Sequence, residues 1–163
     1  MGLVGFYAGS FDPFTNGHLS IVRKASKSFD RVIVGIGNND EKTRRVDKNA
    51  MLDVMRRVIS EEGLYNVEVI AYDSITTRAA RDMGANILIR GLRNGTDYAY
   101  EENIAALNEI NSGYDTCYLR ADSFGYLSSS LVMDLYKHGE DVSQYVPGPV
   151  NELLMNMRNN NNN

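Results

Sequence analysis

Leu3-Val4-Gly5-Phe6-Tyr7-Ala8-Gly9-Ser10-Phe11-Asp12-Pro13-Phe14-Thr15-Asn16-Gly17-His18 is the stretch from which the rest of the chain can be read. Leu3 to Tyr7 is an apolar run of the kind that forms a buried strand. Gly9 and Gly17 then free the backbone, and Pro13 forbids regular strand pairing. Beyond them Leu19, Val22 and Ala25 recur at helical spacing, with Ile21 beside them. The stretch is therefore strand, glycine-bearing loop and helix N-terminus. That arrangement aims unpaired backbone N–H groups and the positive end of a helix dipole at one point, a seat for phosphate. His18 falls in the first turn of the helix, at that same point.

Working outward, the alternation repeats. Residues 31–37, 66–72, 86–89 and 116–119 read as further strands, the first of them apolar enough to be covered on both faces. Asp47 is a candidate cap for a helix through Leu52, Met55, Val58 and Ile59 that ends near Gly63. Residues 74–84 read as a short helix. Thr96 or Asp97 caps a longer one carrying Tyr100, Ile104, Leu107 and Ile110 on one side. Another helix begins at Leu127-Ser128-Ser129-Ser130 and ends at His138-Gly139, and Pro147 and Pro149 open the last. Strands alternating with helices predict an α/β domain: a Rossmann-like, doubly wound, five-stranded parallel sheet. No composition shift divides residues 1–158. The asparagine run 159–163 has nothing to bury and is expected to be disordered.

Composition narrows the function. The 163 residues carry a net charge of −4, so a general nucleic-acid or membrane-surface partner is not expected. An anionic ligand would have to be held by a local cluster of Lys, Arg and N–H groups. The one cysteine, Cys117, excludes an intrachain disulfide and suits a reducing compartment. No apolar run of about 18 residues is present, and the N-terminus enters a strand without the layout of a signal peptide. The reading is a cytoplasmic protein.

In a doubly wound sheet, ligands bind outside the carboxyl ends of the strands. The predicted topology brings five loops there: Gly9–His18, the Lys42 segment, Ser74–Thr77, Arg90–Arg93 and Ser123–Ser130. Each has a plain alternative. The glycine loop could be an ordinary turn, and His18 a helix-start histidine satisfied by a carbonyl. Ser128, Ser129 and Ser130 could cap a helix or cradle a di- or triphosphate. Arg90 and Arg93 could pair with Asp97 or Glu101, or could face phosphate oxygens. Lys42 shares its loop with Arg44 and Arg45, most of which would be solvated. Tyr98, Tyr100, Tyr114, Tyr118 and Tyr126 fit core or subunit packing.

Gly9-Ser10-Phe11-Asp12-Pro13 with Thr15-Asn16-Gly17-His18 resembles the Thr/His-x-Gly-His signature of the nucleotidylyltransferase superfamily. Ile89-Arg90-Gly91-Leu92-Arg93, then Asp97, Tyr100-Glu101 and Leu127 to Val132, resembles the pantetheine-phosphate adenylyltransferase family, in order over nearly the whole chain. The resemblance implies adenylyl transfer from ATP to 4′-phosphopantetheine, with magnesium bound through the ATP phosphates. It implies that His18, Lys42 and Arg90 are the catalytic residues. It implies that Gly9, Ser10, Phe11, Gly17, His18, Arg93, Glu101, Ser128, Ser129 and Ser130 bind ATP. It implies that Ser10, Lys42, Ile75, Thr76, Arg90, Tyr100 and Asn108 meet phosphopantetheine, and that the protein is a homo-oligomer, a hexamer. A phosphate-monoester acceptor is already anionic, so no general base is needed, and positioning with fixed cationic donors suffices.

The chain departs from the family pattern in places. Ala8 stands where proline is usual, Thr43 to Lys48 lacks the usual Phe-containing stretch, and Ser74-Ile75-Thr76-Thr77-Arg78 is more polar than the usual segment. Met133-Asp134 replaces a basic-acidic pair. The competing readings are a nucleotidylyltransferase with another phosphorylated acceptor and a catalytically inactive nucleotide or coenzyme A sensor.

Overall fold

The computed structural model describes residues 2–38 and 43–162; Lys42 lies outside the described residues. Five strands, β1 (Val4–Gly9), β2 (Arg31–Ile36), β3 (Val67–Ala71), β4 (Ile87–Leu92) and β5 (Thr116–Arg120), form one parallel sheet in the order β3-β2-β1-β4-β5. Six helices join and follow them: α1 (Asn16–Ser28), α2 (Lys48–Glu61), α3 (Thr76–Asp82), α4 (Gly95–Ser112), α5 (Ser129–Lys137) and α6 (Gly148–Asn161).

The apolar runs of the central strands have partners on both faces, which is why they do not alternate with polar residues. Phe6, Ala8, Ile33 and Leu88 pack on Ala79 and Ala80 of α3. Their strand neighbours Tyr7, Val32, Val34, Ile36 and Ile89 pack on the other face, with Val22 of α1, Met51 and Met55 of α2, Val132 of α5 and Leu154 of α6. Full burial of a side chain of this size contributes about 1.5–3 kcal/mol. Gly35 is needed where β2 passes Phe6, because a Cβ there would meet that ring at 2.6 Å. β2 and β4 flank β1, so the sheet order reverses direction at β1, and the loops after β1 and β4 open the crevice.

Several helix starts follow the side chains expected to cap them. Asp47 accepts from the Ala50 N–H at 2.9 Å, and Ser128 from the Leu131 N–H at 3.1 Å. Helix α4 differs. Its cap is Asn94, which accepts from the Asp97 N–H at 2.9 Å, earlier than the Thr96 or Asp97 expected. Asp97 cannot serve as the cap because its carboxylate is taken by Arg93, at 2.8 and 3.1 Å. No residue of α4 is buried, and Leu107 and Ile110 are 59% and 79% exposed. Helix α6 runs through Asn161, past the boundary expected at 158. Its core contacts at Val150 and Leu154, and the Arg158 guanidinium donating to the Tyr136 and Glu140 carbonyls, carry the helix into the asparagines. Among the described residues, no helix is long and apolar enough to cross a membrane.

Candidate active site

The loop after β1 is held by the loop after β2. Asp12 is buried, and its carboxylate accepts from the Arg45 and Val46 N–H groups at 2.8 Å each. Arg44 donates to the carbonyls of Ser10 at 2.6 Å, Phe11 at 3.2 Å and Val46 at 2.7 Å. Arg45 donates to the Asp12 carbonyl at 2.6 Å and to the Ser130 hydroxyl at 3.3 Å. Most of the cations of this loop are expected to be solvated; a buried carboxylate and loop carbonyls claim Arg44 and Arg45 instead. Phe11 has φ 44°, a left-handed conformation costing a bulky residue about 1–3 kcal/mol. Its ring packs edge-on against Tyr7, Phe14 and His18, at 5.3, 5.6 and 5.0 Å.

His18 occupies the third position of α1, in a reciprocal cap. The Thr15 hydroxyl accepts from the His18 N–H at 3.3 Å, and the Thr15 N–H donates to His18 Nδ1 at 3.0 Å. Because Nδ1 is the acceptor, the proton of the neutral ring sits on Nε2. Burial, with Arg93 pushing in the same direction, lowers the pKa to about 4, so the ring is neutral at pH 7. Among the described residues Nε2 has no hydrogen-bond partner, and His18 lines a cavity of about 910 Å³.

That cavity gathers the predicted nucleotide side. Gly9, Ser10, Phe11, Gly17 and His18 form one wall, Arg90, Arg93 and Glu101 a second, and Ser128, Ser129 and Ser130 a third. The arginines are not bare. Arg90 donates to both oxygens of Glu101, at 2.5 and 2.9 Å, and to the Ala8 carbonyl at 3.1 Å. Burial is the largest single influence and opposes its charge, but the hydrogen bonds and the negative charge of Glu101, with smaller contributions from Tyr7 and Tyr72, together raise its pKa. Among the described residues, three of its five guanidinium N–H groups are committed, which leaves two. Arg93 is held by Asp97, and its Nη1 has no partner among the described residues. Of the serines, Ser128 caps α5, Ser129 donates to the Pro13 carbonyl at 2.7 Å, and Ser130 meets Arg45. Helix geometry leaves the N–H groups of Ser129 and Ser130 pointing out of the helix end.

A second cavity of about 440 Å³ adjoins the first, and Ala8, Asn38, Arg90 and Glu101 line both. Ile75, Thr76 and Asn108, which the resemblance assigns to the acceptor, line it. Ser10 lines the larger cavity only. Tyr100 lines neither and is 66% exposed, because Glu101, Ile104, Ala105 and Asn108 take the inward face of α4 and leave position 100 outside.

The cytidylyltransferase-like family model matches residues 6–143, which span every loop of the two cavities. A phosphopantetheine adenylyltransferase from Nocardioides sp. is 42% identical over 147 residues, 90% of this chain and 91% of the relative. The chain belongs to the phosphopantetheine adenylyltransferase family. Another relative of that name, from Methylococcus capsulatus, is 37% identical over 157 residues, 95% of this chain and 96% of its own. Among solved structures, one described as a nicotinate-nucleotide adenylyltransferase from Vibrio parahaemolyticus superposes with a TM-score of 0.71 at 17% identity, covering 96% of this chain and 93% of that one. Thermotoga maritima TmcAL bound with alpha-thio ATP gives 0.72 at 14% identity, covering 98% of this chain and 56% of that one. At such identities they bear on the fold alone.

In this member of the phosphopantetheine adenylyltransferase family, sequence reading missed the parts that support the site. Asp12, Arg44 and Arg45 lock the first loop, and Thr15 sets the His18 tautomer. The available signal was an acidic residue in one strand-end loop and paired arginines in the next.

Proposed function

We propose that this chain transfers the adenylyl group of ATP to 4′-phosphopantetheine, releasing pyrophosphate and forming dephospho-coenzyme A, a step of coenzyme A biosynthesis. The observation that carries the reading is the pair of adjoining cavities that share Arg90 and Glu101, with the His18 imidazole on the larger. The names of the relatives supply the acceptor.

In this reading the larger cavity takes ATP and the smaller takes the pantetheine arm, so that the acceptor phosphate meets the α-phosphorus beside Arg90. An acceptor oxygen forms the new O–P bond as the bond to the bridging oxygen of pyrophosphate breaks. No proton needs to move. His18 donates from Nε2 to a non-bridging oxygen of the α-phosphate, and as a neutral ring it needs no pKa change to do so. The uncommitted N–H groups of Arg90 and Arg93 meet the charge that builds up. The Ser129 and Ser130 N–H groups, at the positive end of α5, suit the departing phosphates. Lys42 keeps the role implied by the family pattern, on the acceptor phosphate. Magnesium neutralises phosphate charge when bound. In this reading it would be bound through the ATP phosphates, as the resemblance implies.

Two further parts belong to the proposal. A homo-oligomer is supported by the outer face of α4, where Tyr100, Leu107 and Ile110 are exposed together. A cytoplasmic setting is supported by the unpaired Cys117. The polar lining of the smaller cavity, with Ser74, Thr76, Thr77 and Asn108, favours as a second reading a different phosphorylated acceptor. Pyrophosphate release from ATP and magnesium with each acceptor separates them. Release with 4′-phosphopantetheine supports the first; release only with another acceptor replaces it by the second; tight ATP binding without turnover replaces both by a sensor.

A further inference from the structure

We infer that Tyr7 is a further nucleotide-contacting residue, its phenol hydroxyl donating a hydrogen bond from the wall of the large cavity to an oxygen of the bound nucleotide. This rests on the reading of that cavity as the ATP site. Tyr7 is on β1, two residues before the glycine that opens the first loop, and is 5% exposed. Its ring is fixed edge-on against Phe11 at 5.3 Å. The hydroxyl sits beside Gly91: a Cβ built at that glycine would lie 3.5 Å from it. Tyr7 and Gly91 line the cavity together with Arg90 and Arg93.

Tyr7 combines near-complete burial, a place on the cavity wall and a hydroxyl without a partner among the described residues. Three partly buried tyrosines spend their hydroxyls on the protein: Tyr72 meets Thr76 at 3.0 Å, Tyr114 donates to the Ala85 carbonyl at 3.2 Å, and Tyr136 donates to the Leu154 carbonyl at 2.9 Å. Among the described residues the Tyr7 hydroxyl has no such bond. No fully buried side-chain nitrogen or oxygen is left unpaired among them. The Tyr7 hydroxyl is therefore one that reaches the open space of the cavity rather than one sealed in the core. Burial raises its pKa, and it stays a protonated donor at neutral pH. A donor held rigidly on a wall that also carries Arg90 and Arg93 loses little freedom when an anionic ligand arrives.

Tyr7→Phe keeps the ring and its packing and removes one hydroxyl. ATP affinity, measured by calorimetry on the full chain with magnesium, falls about tenfold, the effect of one hydrogen bond to a charged group. The KM for ATP rises with it, while the KM for the acceptor and the thermal midpoint hold. Equal ATP affinity in both proteins overturns the assignment and leaves the nucleotide reading intact. A parallel loss of affinity for ATP and acceptor with a lowered midpoint also overturns it, as the mark of a packing role. Wild-type protein that does not bind ATP overturns both readings.

Discussion

The two cavities share four residues but are built by different means. The larger is walled by a glycine loop pinned through Asp12, Arg44 and Arg45, by the capped start of α5, and by His18 locked in a reciprocal cap with Thr15. The smaller leans on α3, seven residues long with no side-chain cap, and on α4, of which no residue is buried. A fixed polyanion and an in-line geometry demand donors held to within a fraction of an ångström. A long, flexible acceptor arm demands mainly a groove. Rigidity is concentrated on the side where charge would develop in the proposed reaction.

The comparison can be broken most sharply at His18. His18→Ala lowers kcat about a hundredfold or more while ATP affinity changes little, the pattern of a donor used in the transition state. Equal losses in both would make His18 a plain binding residue. Glu101→Ala tests the shared wall. Leaving the Arg90 guanidinium half-buried and unpaired lowers stability by about 2 kcal/mol in denaturant titration and weakens both substrates. An effect on one substrate only would separate the cavities.

Stability against pH probes the locked imidazole. The His18 pKa is lowered in the fold, so the unfolded chain takes up the proton first as pH falls. The contribution is complete above the unfolded value of about 6.5 and is lost as pH falls toward about 4. Denaturant midpoints between pH 7 and 4 should fall more steeply for wild type than for His18→Gln. The smallest effect is expected on the acceptor side: Asn108→Ala raises the acceptor KM about fivefold, near 1 kcal/mol, and leaves ATP untouched.

The same contrast explains what could be read from the residues. All five strands and the caps at Asp47 and Ser128 were legible, because apolar runs and N-cap chemistry are local signals. So was the meeting of the glycine loop, His18 and the Arg90–Arg93 segment at one cavity, because the sheet order brings those strand ends together. The Asn94 cap was not, because it depends on Arg93 taking Asp97 out of competition. The clamp of Arg44 and Arg45 on Asp12 joins residues more than thirty positions apart in sequence and leaves no periodic trace. Tyr100 was assigned to the acceptor by resemblance alone, which names a position but not the face of α4 it takes in this chain, and here it lines neither cavity.

Arg90 and Glu101 stand in both cavities, and that has a thermodynamic consequence. A ligand that draws on this ion pair from one side changes what the other side can offer. Linkage then requires the factor by which ATP alters acceptor affinity to equal the factor by which acceptor alters ATP affinity. Titrating each substrate with the other present would return one number from two directions.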